Sequence, residues 1–261
     1  MIASYGLMED EDIELDLAAL DLSALDHEGV DLGPYAALLR EIAEHLAEAG
    51  AGADTPEAQA MALATVFGQE FGFVGDVDSY DAPLNADLIR VLDRRRGLPV
   101  SLSILYVAAA RRMGWTADAL NTPGHVLVRI GMDTAVIIDP FNGGQIVPQE
   151  RLIALLHQAM GQAQPGSVAA MSNRAVLARL LVNQASRAEE AGDARRAQTI
   201  YERMTIVAPD HGDAWWQLAR LQLQDGAVSD ARSSLVSMLE LTRDPERRDM
   251  VVAALDAIAA R

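Results

Sequence analysis

The sequence of 261 residues contains no cysteine and no lysine. Without cysteine the chain has no disulfide, no thiolate ligand for zinc or for iron–sulfur clusters, and no cysteine nucleophile. Without lysine it has neither a Schiff-base amine nor the lysine of a phosphate-binding loop. All 21 basic residues are therefore arginines, and 38 acidic residues bring the formal net charge to −17. This acidity argues against nucleic acids and anionic membranes as partners, because the net field repels phosphates.

The chain also lacks a basic leader and an uncharged apolar run of membrane-spanning length. The first arginine is Arg40, and residues 1–33 are rich in aspartate and glutamate with interspersed leucines. We interpret 1–33 as an acidic N-terminal arm that is either solvated or docked on a basic surface of the chain itself or of a partner. With no targeting segment in the sequence, a cytoplasmic location is our expectation.

Hydrophobic periodicity predicts an α+β core over residues 34–165. Residues 34–49 carry apolar side chains at helical spacing. Thr55 followed by Pro56 is typical of the first turn of another helix. A nearly continuous apolar run at 101–113 predicts a buried helix. Three short segments rich in valine, isoleucine and threonine follow it, which predicts a small antiparallel sheet and an α+β rather than an alternating β–α–β pattern.

Residues 166–261 are predicted to be entirely helical and to contain a repeat. Three positions recur after 34 residues, namely Gly192, Ala197 and Tyr201 as Gly226, Ala231 and Leu235. A glycine at the turn between helices, a small residue where helices cross and a period of 34 resemble tetratricopeptide repeats. We therefore expect a protein or peptide partner at this module. Trp216 is the candidate exposed anchor for it, whereas Trp215 is expected to pack between helices.

A histidine and an aspartate are predicted to meet across the middle hairpin. If its turn is centred at residues 132–133, His125 lies opposite Pro140, beside Asp139. A histidine oriented by a buried carboxylate is the base half of a catalytic triad. The alternative is a histidine that bridges two strands and has no catalytic role.

A nucleophile for this pair belongs at the N-terminus of the preceding helix, where the helix dipole stabilises an anion. Ser101 is the candidate at that position. A serine hydroxyl is a much weaker acid than a thiol and depends on deprotonation by the histidine during the reaction. The alternative is that Ser101 caps the first turn of the helix.

Several motifs, taken in order, carry a family resemblance. They are Phe71-Gly72-Phe73, Arg94-Arg95-Arg96-Gly97-Leu98-Pro99-Val100-Ser101-Leu102, Asn121-Thr122-Pro123-Gly124-His125 and Ile138-Asp139-Pro140-Phe141-Asn142-Gly143-Gly144. The chain resembles the transglutaminase-like superfamily, and specifically its SirB-type branch, in which tetratricopeptide repeats follow the core. The resemblance implies a papain/transglutaminase-like core, a helix packed on a small antiparallel sheet, followed by an all-α module.

The resemblance also implies site residues. Members of the superfamily use a Cys-His-Asp arrangement, in which His125 takes the histidine position and Asp139 the acid position. The cysteine position falls between Pro99 and Ser101, where this sequence has no cysteine. We therefore expect an interaction or regulatory protein with a core that is a pseudoenzyme. The alternative is a Ser-His-Asp hydrolase or acyltransferase acting on an amide or ester; neither interpretation requires a metal or a cofactor.

Positive charge is concentrated in residues 88–129, which hold seven arginines against two aspartates. These arginines either pair within the chain or form a surface for an acidic partner, a carboxylate ligand or the N-terminal arm. The predicted ligand or anion patch consists of Arg94, Arg95, Arg96, Asn121 and Asn142.

Overall fold

The computed structural model describes residues 2–122, 124–132, 134–160 and 169–259. It divides the chain into two compact units, Glu9–Val176 and Met1–Met8 together with Leu177–Arg261. The predicted α+β core with a small antiparallel sheet and the predicted helical C-terminal module are confirmed. The predicted boundary at 165/166 lies outside the described residues. No described helix combines the length and the apolar character needed to cross a membrane.

The elements of the first unit follow one another in this order. The helices are α1 (Leu15–Ala24), α2 (Gly33–Ala49), α3 (Pro56–Leu63), α4 (Leu88–Arg94), α5 (Pro99–Arg112) and α6 (Gln149–Met160). The strands are β1 (Val74–Gly75), β2 (Arg96–Gly97), β3 (Ala117–Thr122), β4 (His125–Ile130), β5 (Val136–Asp139) and β6 (Gln145–Ile146). A π-helical segment, Ala64–Glu70, continues α3, and 3-10 turns lie at Pro83–Ala86 and Pro140–Asn142.

Helix α5 lies at the centre of the first unit. Every residue from Pro99 to Ala110 is buried, which accounts for the uninterrupted apolar run in the sequence. Arg111 and Arg112 follow in the last turn, where cations complement the helix dipole. Helix α3 begins as predicted, because the side chain of Thr55 accepts a hydrogen bond from the amide of Ala58 at 3.2 Å.

Strands β3 to β6 form an antiparallel sheet in sequence order, and β1 pairs with β2 in parallel. In the central hairpin Val128 pairs with Ile138 and Ile130 with Val136. The predicted pairing of His125 with Pro140 is therefore wrong by one residue. The observed register places buried apolar residues opposite one another, whereas the predicted register was set by turn symmetry alone. A one-residue shift moves every side chain to the other face, so His125 and Asp139 share a face.

Part of the predicted arm is an ordered component of the first unit. Helix α1 is largely buried, and the carboxylate of Asp16, also buried, accepts hydrogen bonds from Arg112 at 2.5 and 2.7 Å. Glu14 accepts a further one from Arg112 at 3.0 Å. Hydrogen bonding to these carboxylates outweighs burial and raises the pKa of Arg112. For α1 the structure shows docking on an arginine of the chain itself, so a solvated segment is wrong for residues 15–24.

The second unit contains α7 (Asn173–Glu190) from Leu177 onward, α8 (Ala194–Val207), α9 (Gly212–Gln224), α10 (Val228–Leu241) and α11 (Pro245–Ala259). The repeat residues behave as their pattern predicts. Gly192 and Gly226 have φ of 76° and 79°, left-handed values that favour glycine, at the turns between helices. Ala197 and Ala231 are fully buried where helices cross. Residues 2–4 form a 3-10 turn that packs on α8.

Candidate functional site

His125 and Asp139 form the centre of the candidate site. His125 begins β4 and Asp139 ends β5, and Nε2 of the histidine donates a hydrogen bond to Oδ1 of the aspartate at 2.9 Å. The Asp139 side chain is 2% exposed and that of His125 is 20% exposed. This bond leaves Nδ1 as the ring nitrogen that a nucleophile would have to reach. The structure thus brings together the two residues that the sequence paired.

Asp139 is also the organising acceptor of the turn that follows it. It accepts hydrogen bonds from the Asn142 side chain at 2.6 Å and from the Phe141 amide at 3.1 Å. Arg151, at the start of α6, lies 3.7 Å from its second oxygen. Burial by itself raises the pKa of Asp139, but the hydrogen bonds from His125 and Asn142 outweigh it, so the pKa lies below that of an ordinary aspartate. The carboxylate is therefore ionised at neutral pH.

Ser101 does not complete a triad in this structure. It lies in the first turn of α5, fully buried, and its hydroxyl donates to the backbone carbonyl of Asn85 at 2.8 Å. The N-cap of α5 is Leu98, so the predicted capping role of Ser101 is wrong as well. Ser103, two residues further along the helix, donates to the carbonyl of Val126 at 3.4 Å. Within the described residues neither hydroxyl is hydrogen-bonded to His125.

The five residues of the predicted anion patch do not form one surface. Arg94 is engaged with Asp76 at 2.5 Å and with the Asn85 side chain at 2.9 Å. Arg95 lies 4.9 Å above the ring of Phe73, and burial lowers its pKa.

Arg96 and Asn142 do lie together. Both are exposed and line the same open groove of the first unit. Asn121 is exposed on β3 and does not line that groove. The structure therefore brings two of the five predicted patch residues to one site.

Two aromatic residues and a tyrosine hydroxyl complete the surroundings of the pair, and sequence reasoning gave them no role. The Phe141 ring meets those of His125 and Tyr80 edge-on, each with centroids 5.8 Å apart. Tyr106 is fully buried and stacks on Phe67 at 4.4 Å. Burial, with the nearby charge of Asp139, raises its pKa, and its hydroxyl has no hydrogen-bond partner among the described residues. Phe141 lies within the motif at residues 138–144, and this position is the sequence signal that could have identified it as a site residue.

Trp216 is not a free anchor. It is partly buried and packs against the cluster formed by Ala219, Ala231, Leu235, Met238 and Val251. Trp215 packs against the same cluster, as predicted, and its indole donates to the carbonyl of Pro209 at 2.9 Å.

Comparisons with known proteins agree with this architecture. A family model described as "Transglutaminase-like superfamily" matches residues 34–182, and a tetratricopeptide-repeat model matches residues 188–255. The chain is 29% identical over 255 residues to a UPF0162 protein of Xylella fastidiosa, covering 95% of this chain and 91% of the relative. A UPF0162 protein of Vibrio cholerae is 31% identical over 130 residues, 48% of each chain. F-box only protein 21 of Mus musculus is 27% identical over 187 residues, 67% of this chain and 29% of that protein.

Proposed function

This chain belongs to the transglutaminase-like superfamily, and we propose that it is an interaction or regulatory protein of the SirB-type branch. Its tetratricopeptide repeats belong to a class that generally mediates contacts between proteins. In this proposal the repeats bind a protein or peptide partner, and the transglutaminase-like core is a pseudoenzyme that contributes a ligand pocket rather than thiol chemistry.

The observation that carries the proposal is the position of the nucleophile. The chain has no cysteine, and the Ser101 hydroxyl is buried and donates to the Asn85 carbonyl. A nucleophile must lie within hydrogen-bond reach of its base and be accessible to substrate. Ser101 meets neither condition as it stands, while His125 and Asp139 retain a structural role in the turn after β5.

The partner site is best placed in a groove of the second unit rather than at Trp216. A groove of about 490 Å³ is lined from α8 by Ala194, Arg195 and Gln198 and from the end of α9 by Leu221, Gln224 and Asp225. Its lining combines one arginine, one aspartate and two glutamine amides with two apolar side chains, groups that can bind a peptide backbone and its side chains. Trp216 does not line it.

A crosslinking experiment tests the partner site. A photoreactive benzoylphenylalanine replaces Gln224, which lines the groove, in the full chain, and in the control it replaces the exposed Asp230, which does not. Adducts formed in cells from position 224 and absent from position 230 are the expected result. Equal adduct patterns at the two positions, or none, contradict this placement.

The intact His125–Asp139 pair favours a second candidate, a serine hydrolase or acyltransferase acting on an amide or ester. This candidate requires the Ser101 hydroxyl to leave the Asn85 carbonyl and reach Nδ1 of His125. Fluorophosphonate labelling distinguishes the two functions, with Ser103→Ala as the matched control for Ser101→Ala. We expect no labelling of the wild-type protein; labelling that Ser101→Ala abolishes and Ser103→Ala retains would overturn the pseudoenzyme and establish the enzyme.

A further inference from the structure

An open groove of about 540 Å³ lies beside the His125–Asp139 pair on the first unit. The π-helical segment, β1, β2 and the turn after β5 surround it. Its side chains include Gln69, Val77, Arg96, Phe141, Asn142 and Gln145. The volume is within the range of sites that bind small ligands or short peptide segments.

Among the described residues that line the groove there is one cation, Arg96, and no carboxylate. Arg96 is exposed and has no ion pair or hydrogen bond within the described part of the chain. By contrast, Arg94 pairs with Asp76 and Arg129 with Asp118. The chain has a net charge of −17, yet Arg96 has no acidic neighbour in this concave surface. Its planar guanidinium is therefore available to bind a carboxylate of a ligand in a bidentate manner.

The rest of the lining is suited to a peptide. The exposed side chains of Gln69, Asn142 and Gln145 each carry an amide donor and an amide acceptor, as a peptide backbone requires. Val77 is 71% exposed and supplies apolar surface beside them. Cation, amides and apolar surface together fit an extended peptide better than a free inorganic anion, which would use only the cation.

Two lining residues also contact the His–Asp pair. Asn142 donates its amide to Asp139, and the Phe141 ring meets that of His125 edge-on. A ligand in the groove therefore contacts the side chains that Asp139 and His125 hold in place. In this arrangement the pair supports a binding surface and performs no chemistry.

We propose that the groove binds an extended peptide segment of a partner protein, with Arg96 binding an acidic side chain and the three amides binding the peptide backbone. This inference rests on the proposed function and deepens it by naming the ligand class of the core. The two are tested at different side chains. Fluorophosphonate labelling of Ser101 would overturn the pseudoenzyme without bearing on peptide binding, and a failed peptide titration would leave the pseudoenzyme untouched.

The test is an NMR titration of the ¹⁵N-labelled full chain with the acetylated and amidated tripeptide alanyl-glutamyl-alanine. The backbone amides of Gly75, Gly143 and Gln145 should shift on addition of millimolar peptide. The glutamine counterpart of the peptide should bind about fivefold more weakly, since one partly exposed charge pair is lost. Arg96→Gln should weaken binding of the acidic peptide by a similar factor, and Arg96→Lys should restore part of it.

The matched control is Arg40→Gln, which removes an exposed arginine of α2 that does not line the groove. It should leave the affinity unchanged. Equal binding of the two peptides, no effect of Arg96→Gln, or no shifts at the groove amides would overturn the proposal. Sodium acetate producing the same shifts at the same concentrations would also overturn it, because the groove would then bind a carboxylate without its peptide.

Discussion

His125 and Ser101 lie on neighbouring elements of one unit, β4 and α5, and their surroundings differ in almost every respect. The His125–Asp139 side is a connected polar arrangement in which one buried carboxylate accepts from a ring nitrogen, a side-chain amide and a backbone amide. On the Ser101 side, a single hydroxyl is fully buried and donates to a backbone carbonyl. The base half of the site is partly open to solvent, and the nucleophile half is closed.

This difference indicates that the His125–Asp139 side and the Ser101 side of the site can be retained for different reasons. Asp139 has a structural task without any reaction, since its carboxylate caps the 3-10 turn Pro140–Asn142. Gly144, which follows that turn, has a φ of 77°, and a Cβ there would lie 2.8 Å from the Tyr106 ring. The turn after β5 thus depends on Asp139 and on close packing, whereas nothing in the turn depends on a nucleophile at α5.

The largest effect is expected when a thiol is introduced at the nucleophile position. Since the chain has no cysteine, Ser101→Cys has a single thiol whose reaction with iodoacetamide is simple to follow. Burial without a cationic partner makes a thiol inert, so alkylation should require local opening of the protein. We expect a rate on the order of a thousandfold slower than that of Ser79→Cys, which places the thiol at an exposed position.

A fast reaction at position 101 would break the comparison. If the thiol of Ser101→Cys were as reactive as that of the exposed control, or more so, the side chain would have reached His125 and formed a thiolate–imidazolium pair. The alkylation rate under denaturing conditions should be the same for both variants, which checks that the thiols are intact.

The sequence predicted the site better than it predicted the contacts that decide its chemistry. The His125–Asp139 pair was predictable because both residues lie in a short hairpin, where local spacing limits the possible partners. The exact register was not, since it depends on which apolar residues of β4 and β5 become buried together. The partner of Ser101 was not predictable either, because the Asn85 carbonyl comes from a 3-10 turn sixteen residues away.

The arginine-rich stretch shows the same limit. Charge counting found the excess of positive charge but not which arginine remains available. Arg112 forms an ion pair with Asp16, which lies 96 residues away in the sequence, and Arg94 forms one with Asp76. Only the tertiary structure leaves Arg96 in an open groove. Long-range pairing of this kind carries no periodicity that a single sequence reveals.

The next largest effect is expected at Asp139. Asp139→Asn keeps the shape of the side chain but replaces one carboxylate oxygen with an NH2 group. That donor would then face the donors of His125 or Asn142. Breaking buried, charge-assisted hydrogen bonds in this way should lower the free energy of unfolding by about 3 kcal/mol. Urea denaturation measures this loss. The control is Asp93→Asn, because Asp93 is an exposed carboxylate that accepts a hydrogen bond from Tyr35. It should lower the free energy of unfolding by less than about 0.5 kcal/mol.

The pH dependence sharpens the same prediction. Because the pKa of Asp139 is lowered in the folded protein, its contribution is fully present above the pKa of an unfolded aspartate, about 3.9, and is lost as the pH falls through the lower folded value. The difference in stability between wild type and Asp139→Asn should therefore shrink in acid. A difference that is independent of pH down to the acid transition would show that the charge of Asp139 is not what stabilises the turn.

A smaller effect is expected on the nucleophile side. Ser101→Ala removes one buried hydroxyl, but the Asn85 carbonyl still accepts from the amide of Leu98 at 3.1 Å and is not left unsatisfied. The cost should be about 1 kcal/mol in the free energy of unfolding. Ser103→Ala, whose hydrogen bond is longer at 3.4 Å, is the control and should cost less. A cost for Ser101→Ala equal to that of Asp139→Asn would remove the contrast between the two halves.

The smallest effect is expected at Arg151, the cation nearest to Asp139. Its side chain is 56% exposed and its guanidinium lies 3.7 Å from the carboxylate, so solvent screens the pair. Because the arginine is exposed and the pair is long, Arg151→Gln should change the free energy of unfolding by less than about 0.5 kcal/mol. Arg40→Gln, measured by the same urea denaturation, controls for loss of one positive charge. If Arg151→Gln alone cost as much as Asp139→Asn, the charge of Asp139 would be balanced from α6 rather than by His125 and Asn142, and the base half would no longer be self-contained.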